Sequence, residues 1–123
     1  MGQFDSSNSG DVLPWDGLSF CDSGNGILLT YGSSSSVIRL KSGDLIYGRL
    51  SETIPSTLCF NIVDNVSYSF ELHEDVLGGT GRYEGATGTM VSIGAGRNIT
   101  AVHATASGTI EGELFLVGGD DDD

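Results

Sequence analysis

Residues 66–72, VSYSFEL, alternate strictly: Val66, Tyr68, Phe70 and Leu72 fall on one face, Ser67, Ser69 and Glu71 on the other. A period of two belongs to a strand with one buried and one wet face, because successive side chains of an extended chain point to opposite sides. Leu58, Phe60 and Ile62 alternate in the same way through TLCFNIV (57–63). Further stretches of this kind are GILLTYG (26–32), VIRLK (37–41), LIYGRLS (45–51), TGTMVSI (87–93), NITAVHATASG (98–108) and TIEGELFLV (109–117). They are rich in β-branched and aromatic residues, and no window shows helical spacing of apolar positions. Turn-forming segments separate them: the serines at 33–36, Ser42-Gly43-Asp44, Ile54-Pro55-Ser56, Asp64-Asn65 and Gly94-Ala95-Gly96. The pattern predicts an all-β fold, a small antiparallel up-and-down β-barrel of about eight short strands, since closure removes exposed sheet edges.

The length of 123 residues suits one domain. Residues 1–19, polar and rich in Gly, Ser and Asp, read as a flexible N-terminal arm. Residues 20–117 read as the barrel domain, and GGDDDD (118–123) as a self-repelling, disordered acidic tail rather than a calcium site. Seventeen acidic residues against five basic ones give a net charge of -12. That field opposes nucleic acid and anionic membrane surfaces, both of which require Lys and Arg, so neither is expected as a partner. No apolar run approaches the length of a membrane span. The N-terminus has no basic and apolar leader pattern. Gly2 and Ser6 match the spacing for N-myristoylation, but no basic patch supplies a second membrane signal, and an ordinary initiator Met-Gly is the preferred reading.

Cys21 and Cys59 permit one disulfide or two buried thiols, and the spacing does not choose between them. No CxxC or Cys/His cluster is present, so no metal site is expected. Asn65-Val66-Ser67 and Asn98-Ile99-Thr100 are glycosylation sequons. A secreted mature chain fits these features, and the compartment stays open.

Residues 78–89, GGTGRYEGATGT, hold five glycines and invite comparison with a phosphate-binding loop. That comparison fails. Gly88 is followed by Thr89-Met90 rather than Lys-Ser/Thr, the following TGTMVSI is strand-like rather than helical, and His73, Glu74, Asp75 and Glu84 make the surroundings acidic. A structural reading succeeds: Gly78 and Gly79 supply positive φ where a strand turns, while Gly81, Gly85 and Gly88 sit where strands bend and cross at a barrel corner. Tyr83 is expected to plug the barrel end.

Gly78-Gly79-Thr80-Gly81-x-Tyr83-Glu84-Gly85-x-x-Gly88 resembles the G-G-[ST]-G-x-[FY]-x-G-x-x-G signature of the allene oxide cyclase and dirigent barrels and their bacterial barrel-like relatives. The motif covers about a tenth of the chain. The resemblance implies a small barrel whose interior takes an apolar ligand, with no cofactor and with catalysis, where it occurs, by conformational control in a dry cavity. It carries over no catalytic residue, since those of the family lie outside the motif.

No Ser/His/Asp set or GxSxG appears, and Cys59 has no histidine nearby in sequence, so catalytic residues are unassigned. The candidate pocket residues are Tyr47, Arg49, Tyr68, Phe70 and His103. Arg49 shares a face with Leu45 and Tyr47 and would need a carboxylate or an anionic ligand if that face is interior. His103 is a candidate acid/base group. Glu71, His73 and Glu84 read as solvated. Two functions follow: a barrel for an apolar small molecule, including a cofactor-free cyclase or stereocontrol protein; or a non-catalytic extracellular barrel that self-assembles through its N-terminal arm.

Overall fold

A computed structural model describes residues 4–22, 24–100 and 104–116. Among them lie seven strands, β1 (Phe4–Val12), β2 (Gly26–Leu40), β3 (Leu45–Leu50), β4 (Thr57–Asn61), β5 (Ser67–Gly79), β6 (Thr87–Asn98) and β7 (Ala104–Phe115). One 3-10 turn, Gly81–Tyr83, joins β5 to β6. All pairings are antiparallel, in the order β1-β2-β3-β5-β6-β7, with β4 bridging β2 and β5. The circuit β2–β3–β5–β4–β2 closes: β3 takes residues 35–39 of β2 and 74–79 of β5, while β4 takes residues 26–30 and 68–71. The fold is the expected small all-β antiparallel barrel. Three further strands extend the wall, β1 beyond β2 and β6 then β7 beyond β5.

Three sequence expectations change. The segment read as a loose arm carries β1, paired with β2 from Phe4↔Leu40 to Val12↔Tyr31. Its polar residues find polar partners on β2, which is why weak strand propensity does not leave it free. The serines at 33–36 lie within β2 rather than in a turn, because Ser34 and Ser36 are buried and hydrogen-bonded. Gly94-Ala95-Gly96 also lies in mid-strand. A Cβ on Gly94 would meet Phe70, and one on Gly96 would meet Ala106, so these glycines allow close strand approach. The acidic tail, 118–123, lies outside the described residues.

Two irregularities interrupt the strand registers. Between Asp11↔Ser33 and Val12↔Tyr31 the register shifts, so β2 carries one extra residue, Gly32. Between Tyr47↔Gly78 and Gly48↔Val76 it shifts again, leaving Leu77 extra and exposed on β5. The Gly32 bulge reverses the inward/outward phase of β2, from Tyr31 to the buried Ser34, Ser36 and Ile38, whereas β5 keeps its phase from Leu72 through Gly78.

The core consists of Ile38, Ile46, Val76, Ala86 and Met90, with Tyr83, Ile110 and Leu114 packed against it. The glycine turn closes this end of the core. Gly78, Gly81, Gly85 and Gly88 have φ of 137°, 59°, 75° and 137°, a region open to glycine and strained for most other residues. Gly79 and Gly88 also press against the carbonyl oxygens of Leu45 and Glu113, where a Cβ has no room. With the backbone so folded, Ala86 becomes fully buried and Tyr83 lies over the cluster.

Cys21 and Cys59 form a disulfide with a Cα–Cα distance of 6.0 Å, tying the segment before β2 to β4 on the outer side of the sheet. The bridge spans 38 residues, and chain-entropy arguments assign such a loop about 4 kcal/mol. Urea unfolding with and without reductant is expected to show that loss as a lower midpoint. Gly88→Ala is expected to destabilise by about 2 kcal/mol or more, from strained φ and the Glu113 carbonyl. The same unfolding experiment reads it, and an unchanged midpoint would refute the close approach.

Candidate functional site

The even-numbered residues of β5 point inward. Tyr68, Phe70 and Leu72 continue into Glu74 and Val76, and Glu74 is 2% exposed. A carboxylate at that depth requires partners. Its Oε2 accepts hydrogen bonds from Ser36 Oγ at 2.8 Å and Ser34 Oγ at 3.3 Å. Those hydroxyls in turn accept from Asn8 Nδ2, at 2.7 and 2.6 Å. One polar chain thus crosses from β1 through β2 to β5, with every donor directed toward the carboxylate. Among the described residues no buried side-chain polar atom lacks a partner.

Glu74 looks into a trough of about 1650 Å³. Tyr31, Tyr68, Phe70 and Leu72 line its apolar side, Ser92 adds a hydroxyl, and residues of β1 and β7 form its two rims. The Gly32 bulge is what assembles this wall, since it lets Tyr31 and Ser34, three residues apart, both face inward. Tyr68 and Phe70 rings lie 6.1 Å apart in a tilted arrangement, which holds the aromatic wall.

The electrostatics follow from burial. Burial pushes the Glu74 carboxyl above its ordinary value, and the Ser36 and Ser34 hydrogen bonds offset only part of that. The Tyr31 phenol is pushed up to about 12, first by burial and then by the nearby Tyr68 and Glu74. Burial also raises Tyr68. At neutral pH both phenols are therefore neutral donors.

Of the five pocket candidates, Tyr68 and Phe70 line the trough. Arg49 and Tyr47 do not: β3 buries Ile46 and Gly48, which puts Tyr47 and Arg49 on the outer face. The reason is steric: Gly48 fits inward where a Cβ would meet Met90 Cε at 2.6 Å and Glu74 Oε1 at 3.4 Å, which turns its neighbours Tyr47 and Arg49 outward. Arg49 is exposed beside a shallow depression of about 460 Å³ that also touches Asp11, Ser33 and Glu52. His103 lies outside the described residues. The glycine residues and Tyr83 shape the β5–β6 connection, away from the trough lining. His73 and Glu71, read as solvated, pair with each other at 2.7 Å on the outer face. Sequence reasoning passed over Glu74 as a site residue, reads Ser34 and Ser36 as part of a turn, and reads Tyr31 as core first and pocket lining second. Extending the Tyr68–Phe70–Leu72 alternation by one step reaches Glu74.

Among the described residues no cluster of His, Cys, Asp and Glu could hold a metal. No helix there is long and apolar enough to cross a membrane. The chain gives no significant match to any protein-family model, curated protein or solved structure.

A carboxyl whose folded-state pKa is raised stabilises the fold most below the unfolded carboxylate value, about 4.3, and that contribution is lost as pH rises through the folded value. Glu74→Gln keeps the shape and removes the titration. Its stability relative to the parent chain is expected to rise from pH 4 to pH 8 in urea unfolding; a pH-independent difference would refute the burial effect. Ultraviolet titration is expected to show Tyr31 ionising near pH 12, with that step absent in Tyr31→Phe.

Proposed function

We propose that the chain is a small β-barrel that holds an apolar small molecule in the trough beside Glu74. The observation that carries this reading is the trough itself. Its volume, about 1650 Å³, exceeds the roughly 300–1,000 Å³ of ordinary ligand sites, and its lining joins an apolar side of Tyr31, Tyr68, Phe70 and Leu72 to polar and charged residues of β1, β2 and β7. A core filled solidly by Tyr68, Phe70 and Phe60 would have argued the other way. The likeness of the glycine turn to the allene oxide cyclase and dirigent barrels supports the same reading and extends it. In that extension the trough controls the conformation of a flexible ligand, as a cofactor-free cyclase or stereocontrol protein would.

Among the described residues the outer sides of β1 and β7 take no further strand, which supports a second reading, a non-catalytic building block that assembles by adding strands at those edges. Here β1, inside the sheet rather than free of it, offers a preformed edge.

Titration with the neutral fluorophore Nile red tests the first reading. Saturable, blue-shifted emission is expected, weakened about tenfold by Ala106→Trp, which places an indole in the trough from the exposed side of β7. Absence of saturable binding would overturn it. Light scattering tests the second: a monomer at high micromolar concentration would reject edge-mediated assembly.

A further inference from the structure

Among the charged residues that line the trough, Asp5, Arg39, Lys41 and Glu111 are exposed at its rims and Glu74 is the buried one, which a purely apolar ligand does not explain. It is 2% exposed, it sits between Leu72 and Val76 on the core side of β5, and it borders the trough. Its surroundings hold donors but no countercharge. The flanking strands offer Ser34, Ser36 and Tyr31 from β2, Leu50 and Gly48 from β3, Met90 and Ser92 from β6, and Asn8 from β1. None of these is cationic. Among the described residues Arg39 pairs with Asp5 and the His73 ring with Glu71, and neither contact engages the Glu74 carboxylate. Two cations reach the trough rim, Arg39, already engaged with Asp5 at 3.0 Å, and Lys41, exposed just past the end of β2.

We propose that the trough binds an apolar amine, its ammonium group seated on the Glu74 carboxylate and its tail along Tyr31, Tyr68, Phe70 and Leu72. This rests on the ligand-binding reading above and names the class of ligand. Three features select that class. The buried carboxylate gains from a cation what hydroxyl donors cannot supply, and it repels a carboxylate or phosphate. Aromatic side chains beside the seat add cation–π attraction for an ammonium. The whole chain, at a net charge of -12, draws cations toward the trough and repels anions. The two serines, held by Asn8, fix the carboxylate and leave the ligand to provide the positive charge.

Calorimetric titration with decylamine, decanol and decanoate, each below its micelle concentration, tests the proposal. For the parent chain decylamine is expected to bind about tenfold tighter than decanol or more, and decanoate weakest. In Glu74→Gln the amine-to-alcohol ratio is expected to fall to near one. Diffuse attraction to the acidic surface would survive that change, since Gln removes one charge of a large excess. Should Glu74→Gln fail to fold, Glu74→Asp, with its carboxylate withdrawn by one methylene, is expected to lower the ratio several-fold. Equal affinity for amine and alcohol in the parent chain, or a ratio that persists in both variants, would overturn the amine proposal and leave the apolar site standing. Failure of all three probes to bind would remove the apolar site as well.

Discussion

The fold depends on the register of β5. This strand pairs on both sides, with β4 and then β3 along one edge and with β6 from Ser67↔Arg97 to Val76↔Gly88 along the other. A slip of one residue would exchange its faces. Leu72 and Val76 would enter water, while His73 and Asp75 would enter a core that offers no countercharge. The register is therefore fixed by what each face can tolerate. The extra residue Leu77 then lets the strand bend into the glycine turn without disturbing the residues before it.

Against that background Glu74 is a local contradiction. A leucine there would complete an apolar face from Tyr68 to Val76, and replacing a buried charge with an apolar group of similar size is commonly neutral or stabilising. Instead the chain keeps a carboxyl whose ionisation burial opposes, and dedicates Ser34, Ser36 and Asn8 to it. The Gly32 bulge serves the same arrangement, turning Tyr31 and the two serines toward one space. Sites where a sequence departs from the rule for stability are the ones most often shaped by binding or chemistry.

The strands were legible because alternation in VSYSFEL and TLCFNIV is a direct imprint of a half-buried sheet. The glycine turn was legible too, since positive φ leaves few alternatives to glycine. The site was only partly legible. Tyr68 and Phe70 lie on an unambiguous face, but LIYGRL is balanced between two, and only Gly48, needed beneath Met90 and Glu74, breaks the tie. That information belongs to β5 and β6, not to β3. The run of serines in β2 misled for a related reason. Serine favours turns by bonding to its own backbone, yet Ser36 here spends its hydroxyl on a residue 38 positions away. A bulge hides even more, because one extra residue reverses the phase that alternation was meant to report.

The acidity of the chain links the trough to the open edges. Unpaired outer strands invite further pairing, and charged side chains along them are a common restraint. β1 carries Asp5 and Asp11, and pairing it with a second β1 about Asn8 would set Asp5 opposite Asp11 at both ends, which disfavours that contact. β7 is different. Antiparallel pairing about its centre would set Glu111 against Gly108 and Glu113 against Ala106, with no like charges opposed. Of the two edges, β7 is thus the one electrostatics leaves available, and the first strand, though nearer the chain end, is the guarded one. Asp5 and Glu111 also stand on the two rims of the trough. Arg39, paired with Asp5, and Lys41 stand there too, so the charges of the rims balance and the unbalanced charge of the trough is the buried carboxylate itself.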